Sequence, residues 1–331
     1  MLSGFLHRLR QLVAHNHDHD HGSTAVSIQE SGSIGIRATK VSLVVLGVTA
    51  LVQGVIVAFS GSVALLSDTL HNLTDALTAI PLWIAFAWGR KQETRTYTYG
   101  FRRAEDFAGL LIVGAIGASA VLVVWQSVER LIEPRIMNNI PWVISAGIVG
   151  ALGNELVARY RIAVGKRIGS EALIADGHHA RSDAWTSLAV VAAGIGAAFG
   201  AAWVDPIAGL VVAVGIVVLM ARSARRISRR LLDGVEPEVL TQVEATIARA
   251  EGVEELTELR ARWHGHQLRV AASIEVDPTI SVAEGHDIAH EVEHALHHDF
   301  TTPVHAVIHV EPHGQHQAHE ATAHHREITG A

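Results

Sequence analysis

Long uncharged runs constrain this chain more than any other feature. No Asp, Glu, Lys or Arg occurs from Val41 to Ser67, Phe107 to Val128, Ile136 to Asn154, Ala184 to Val204 or Pro206 to Ala221. A helix needs about 20 predominantly apolar residues to cross a bilayer, and a helix satisfies its own backbone hydrogen bonds where no water can. Ala76 to Gly89 is a shorter apolar run. Together the runs predict six membrane-spanning helices, at about 39–59, 62–88, 106–128, 140–161, 177–200 and 204–222. The alternative is a soluble all-α protein with buried helices. Composition weighs against it, because 49% of the 331 residues are hydrophobic and the mean hydropathy is +0.27.

Basic residues in short loops set the orientation of spans. Arg8, Arg10, Arg37 and Lys40 precede the first span. Arg90, Lys91, Arg95, Arg102 and Arg103 lie between spans 2 and 3, and Arg159, Arg161, Lys166 and Arg167 between spans 4 and 5. Arg222, Arg225, Arg226, Arg229 and Arg230 follow span 6, whereas the opposite side holds Arg130 and Arg135. The expected arrangement is a multi-pass protein of the cell membrane (inner or plasma) with both termini cytoplasmic. The first residues lack the apolar core of a cleavable signal peptide. With no cysteine there is no disulfide and no thiolate metal ligand. A net charge of -7 argues against a nucleic-acid partner.

Beyond about residue 234 charged residues return. Pro237 to Ala250 has Val239, Leu240, Val243 and Ile247 at helical spacing after a proline. Leu256 to Trp263 and Leu268 to Val276 alternate like strands. Ser281 to His298 opens with a Ser281–Glu284 capping box, and Pro303 to Val310 reads as a last strand. The predicted fold class is thus a six-span α-helical membrane protein with a C-terminal cytoplasmic α+β domain of order αββαβ, ferredoxin- or metallochaperone-like. Its segments are a His-rich tail (1–36), the membrane domain (37–230), the αββαβ domain (231–312) and a second His-rich tail (313–331).

Within the second span, LLSDTLHNLTDAL places Asp68, His71 and Asp75 in an apolar setting, with the spacing D-x-x-H-x-x-x-D. The stretch DGHHARSD at span 5 repeats that spacing with Asp176, His179 and Asp183. Residues four apart share a helix face. Two such helices facing each other would offer two imidazoles and two carboxylates to one point. That set matches tetrahedral Zn2+ and could accept cobalt, nickel or cadmium; magnesium and calcium prefer all-oxygen shells. A lone His or Asp inside a span could merely hydrogen-bond a neighbour, but a repeated pair is harder to explain that way, and ionisable groups inside membranes mark functional sites. Asp68 and Asp176 fall outside the four-ligand set. They are either path residues for protons or metal on the two sides, or, more blandly, a hydrogen-bond partner of a ligand at Asp68 and a solvated helix end at Asp176. His178 points about 100° away from His179 on a helix and is not expected to ligate. Asn154 could line the cavity or bond another helix.

HNLTD, HARSD, YTYGFRRAED before span 3, Asp205–Pro206 before span 6 and the ending VIHVEP together resemble the cation diffusion facilitator family, over about residues 37–312. The resemblance implies a homodimeric antiporter that exports divalent metal from the cytoplasm in exchange for protons, with His71, Asp75, His179 and Asp183 as transport site. His71, rather than Asp, at the first position resembles the zinc-selective type. It also implies a cytoplasmic metal site at His286, His309 and Glu311. The positions that carry further histidines in relatives are Thr257 and the neighbourhood of Ser273 here, with His264 and His266 nearby as possible substitutes. The 2–3 loop has no His or Cys, so the loop site of some relatives is not expected. Arg103 and Asp233 occupy the places of a charge pair that holds the dimer together in some relatives.

Neutral imidazole and ionised carboxylate bind metal, and protonation releases it. Histidine titrates near the physiological range, so such a site can exchange metal for protons. No G-x-x-x-x-G-K-S/T motif is present to suggest direct use of ATP. No cofactor is expected; Zn2+ is expected as substrate and as a possible regulatory ligand. The expected partners are a second copy of the chain, the lipid bilayer, divalent metal ions and protons. The tracts HNHDHDH (His15 to His21) and His313, His316, His319, His324 and His325 could gather metal, or be solvated tails with incidental affinity. Two broader readings stand beside zinc: a Cd/Co/Ni/Mn/Fe exporter of the same family, and an intramembrane metalloenzyme. Against the latter, HExxH is absent and four protein ligands leave no position for a zinc-bound water. A metal-sensing scaffold would leave the ligands in two spans unexplained.

Overall fold

The structure is a computed structural model and describes residues 28–60, 79–133, 139–201 and 203–314. The N-terminal part is helical: α1 (Ile28–Ser60), α2 (Ala79–Gly89), α3 (Ala104–Ile132), α4 (Ile140–Ile168), α5 (Glu171–Ala198) and α6 (Val204–Leu231). Four of these, α1, α3, α4 and α6, are long and apolar enough to cross a membrane, and α2 is a shorter apolar helix. The expected second span is described only over its last part, and α5 carries Asp176, Arg181 and Asp183 in its first half. Large apolar side chains point outward along these helices. Leu111, Val121 and Trp125 on α3, Leu152 and Leu156 on α4 and Val211 and Val214 on α6 are all exposed, as suits a hydrocarbon surround.

Inside the bundle, small residues bring helices together. A Cβ on Gly177 of α5 would lie 2.6 Å from Ile162 Cγ1, and one on Gly147 of α4 would lie 2.7 Å from Val191 Cγ2. The antiparallel α4–α5 contact therefore runs along both helices at close range. Their connection is tight. Gly169 takes φ +73 and closes α4, and the Ser170 side chain accepts a hydrogen bond from Leu173 N at 3.1 Å to start α5. The uncharged-run pattern predicts a start at about 177 for this span. The Ser170 cap starts it at Glu171 instead, so Asp176 lies in the second turn rather than at the helix end.

The C-terminal part forms the expected αββαβ order: α7 (Pro237–Ala248), β1 (Glu255–His264), β2 (Gln267–Val276), α8 (Val282–Asp299) and β3 (Val304–Pro312). The strand order is β1-β2-β3, with β1/β2 antiparallel and β2/β3 parallel. A parallel neighbour requires a crossover, and α8 supplies it. The capping box at Ser281 and Glu284 is formed in both directions. Val243, Ile247, Val292 and Leu296 of the helices pack on Leu268, Val270, Ile274 and Ala306 of one sheet face. The other face carries Ser273, Glu275, His309 and Glu311, because side chains alternate along a strand.

The β1–β2 turn inserts against the membrane helices. His266 Nδ1 lies 2.7 Å from Glu105 Oε2 of α3, and its Nε2 lies 2.8 Å from Ser31 Oγ of α1. A carboxylate only accepts, so Nδ1 carries the proton. Arg230 of α6 donates to Gly169 O and Gly265 O and stacks 4.3 Å over Trp263. Gly265 at φ +59 is needed here twice over: the backbone is left-handed, and a Cβ would meet Arg102 O at 2.8 Å. His266, considered above as a stand-in metal ligand, thus serves as a docking residue, and the ring of His264 lies 6.2 Å from that of Tyr99 in the segment before α3. At the same end, Arg103 pairs with Asp233 within one chain, and Arg262 lies 3.7 Å from the same carboxylate. This ties the start of α3 to the end of α6.

His264 is 6% exposed. Burial, with the guanidinium groups of Arg269, Arg102, Arg103 and Arg262 nearby, lowers its pKa to about 4. In an unfolded chain it titrates near about 6.5. Between those values the unfolded state holds the extra proton, so stability falls as pH drops through that window. The apparent melting temperature in detergent is expected to fall from pH 6.5 to 4, and to fall less steeply in His264→Gln. Identical slopes in the two proteins would refute this.

Candidate metal centre

His179 and Asp183 sit on consecutive turns of α5, with Nδ1 and Oδ1 4.0 Å apart. Both are buried, at 1% and 7% exposure. Four protein ligands around a tetrahedral zinc, with bonds of about 2.0–2.1 Å, stand about 3.3 Å from one another. A modest rotation of either side chain would bring this pair to that spacing. The Ser182 hydroxyl donates to His179 O at 2.6 Å and lies 3.4 Å from Asp183 Oδ1. Gly177 lets α4 approach α5 closely two residues before His179. Asp68, His71 and Asp75 lie outside the described residues.

Asp176 departs from the solvated helix end considered for it. It is 0% exposed, and Arg161 Nη1 of α4 lies 3.0 Å from its Oδ2. Arg161 is itself 1% exposed, so it is not the loop charge counted for orientation. Helix α4 continues to Ile168 and carries Arg161 into the interior. The uncharged-run pattern does not reveal this partner, because it ends span 4 at 161 and places Arg161 at the edge of the loop. The signal available was two opposite charges on helices joined by a short turn. His178 Nδ1 meets Ser223 Oγ of α6 at 3.0 Å, so it faces away from the Asp183 side as expected. Asn154 is buried, at 4% exposure. Arg181 and Arg159 both pair with Glu155. Arg130 contacts both oxygens of Asp205, at 2.7 and 2.6 Å, which fixes the start of α6 to the end of α3.

In the sheet domain His309 Nε2 and Glu311 Oε1 lie 3.4 Å apart on one strand face. His286 stands apart from them. It is exposed in the first turns of α8, with the ring of His290 6.2 Å away, and α8 packs on the opposite sheet face. The Thr257 hydroxyl donates to the main-chain Ser273 O at 3.2 Å. Among the described residues, Glu255, Glu275 and His313 bring three metal-ligating groups together, with ligand atoms within 4.8 Å of one another. Sequence spacing did not point to them, because they come from three strands' ends.

A family model described as the cation efflux transmembrane domain matches residues 39–232, and one described as the cation efflux protein cytoplasmic domain matches residues 235–313. The chain belongs to the cation efflux family. It is therefore a multi-pass membrane transporter of divalent metal ions rather than an enzyme. A probable cation efflux system protein of Mycobacterium tuberculosis (strain ATCC 25618 / H37Rv) is 49% identical over 296 residues, 89% of each chain. The manganese efflux system proteins MneS and MneP of Bacillus subtilis (strain 168) are 27% and 26% identical, each over 76% of this chain and 86% and 87% of theirs. In this cation efflux protein the two family domains meet where α6 gives way to α7.

Proposed function

We propose that this protein exports Zn2+ from the cytoplasm in exchange for protons, through a site formed by His71, Asp75, His179 and Asp183 between spans 2 and 5. The observation that carries the reading is the HxxxD pair on α5. Both of its side chains are buried on one helix face, and the same pair recurs in the second span. Two imidazoles and two carboxylates suit zinc's borderline character better than that of manganese, which favours oxygen-rich shells. Metal entering from the cytoplasm would displace protons from His and Asp, and protons from the other side would displace the metal. The Arg and Lys distribution supports cytoplasmic termini. The cytoplasmic-domain match supports a homodimer. Manganese export is the second reading, favoured by the names of the two Bacillus relatives.

The test is uptake into proteoliposomes with an imposed pH gradient, offering Zn, Cd, Co, Ni and Mn separately. Zinc flux that follows the gradient is expected. Manganese flux without zinc flux would replace the first reading by the second. No flux of any metal, with binding retained, would end both.

A further inference from the structure

The open face of the sheet carries an unusual row. Glu255 of β1 is the register partner of Glu275 of β2, and Glu275 is the register partner of Glu311 of β3. Directly opposite residues point to the same face, and like charges there repel. The middle carboxylate is also the most enclosed, at 1% exposure. A buried charge is costly unless it is paired or coordinates a metal. The chain after β3 folds back over Glu275. His313 N donates to Val276 O at 2.8 Å, His313 Nδ1 lies 2.8 Å from Glu275 Oε2, and Gly314 N, at φ +72, lies 3.3 Å from the same oxygen. One imidazole is therefore set against a row of three carboxylates.

We propose that Glu255, Glu275 and His313 form a binding site for a first-row divalent cation, Zn2+ or Mn2+, on the cytoplasmic domain. The ligand atoms already lie within 4.8 Å of one another, and one of the carboxylates is buried and held by backbone. Two carboxylates and one imidazole suit both ions and leave positions for water or for Glu311. The ion would neutralise the row. The site lies at the opposite end of β1 from the docked turn. At about 3.3 Å per residue, the run from His264 to Glu255 puts it about 30 Å from that contact. It is thus separate from any site between the membrane helices and does not depend on the export reading.

The experiment uses the full chain in detergent, with Asp183→Ala in every sample so that the transport site contributes equally little. Binding of Mn2+ is followed by electron paramagnetic resonance and binding of Zn2+ by equilibrium dialysis. Glu255 is exposed, so Glu255→Gln is expected to keep the fold and weaken one class of sites at least tenfold. Glu275→Gln is expected to remove one ion per chain. The His-rich tails contribute the same background throughout. Zn2+ is also expected to raise the apparent melting temperature less in Glu255→Gln than in its parent. Unchanged isotherms and an unchanged zinc-induced shift in Glu255→Gln would leave Glu275 and His313 as an ion pair only and overturn the proposal.

Discussion

Asp183→Ala is expected to abolish gradient-driven zinc uptake while leaving a folded protein. The side chain is 7% exposed and lies one turn from His179 on the same face, so its loss removes one of the two ligands proposed for α5. Loss of a mere hydrogen-bond partner of a metal ligand typically costs 10–100-fold in affinity or activity. Loss of a ligand should exceed that, so flux is expected to fall by at least about 100-fold. Folding should survive. Close approaches at Gly177 and Gly194 help hold α5 in place, and the substitution leaves them untouched. His179→Ala should behave alike. Asp183→Ala protein that is monodisperse and still transports zinc within a few-fold of wild type would remove Asp183 from the site.

The parts legible in the sequence are those written in local patterns. Uncharged runs announced the membrane helices, and alternation with a capping box announced the αββαβ domain, which the structure reproduces in order. The repeated HxxxD pair was equally local, since four residues on a helix bring two side chains to one face. What the sequence hid depends on contacts between different elements. Arg161 reads as a loop charge because three other basic residues, Arg159, Lys166 and Arg167, cluster near it, yet α4 runs on to Ile168 and buries it against Asp176. The seat of His266 between Ser31 and Glu105 joins three segments with no shared motif. The row of Glu255, Glu275 and Glu311 depends on strand register. An irregularity between Leu256 and Glu258 shifts that register, and alternation alone does not reveal it.

The Arg161–Asp176 pair gives the second large effect and separates two roles for Asp176. Both side chains are essentially out of contact with solvent, and Arg161 Nε and Nη2 have no hydrogen-bond partner among the described residues. Removing one partner of a buried ion pair typically costs about 3–5 kcal/mol, because the other charge is stranded. Replacing both by apolar residues of similar size is often neutral or stabilising. Arg161→Met and Asp176→Leu are each therefore expected to lower the apparent melting temperature sharply, and the double substitution to recover most of the loss. Additive losses in the double variant would mean that the two side chains are not coupled as the 3.0 Å contact implies. Flux in the recovered double variant then decides what the pair is for. Asp176 stands one turn before His179 on α5, close enough to hand protons or metal towards it. Recovered stability with transport near wild type would make the pair an internal brace between α4 and α5. Recovered stability with transport lost would place Asp176 on the path by which ions reach His179 and Asp183.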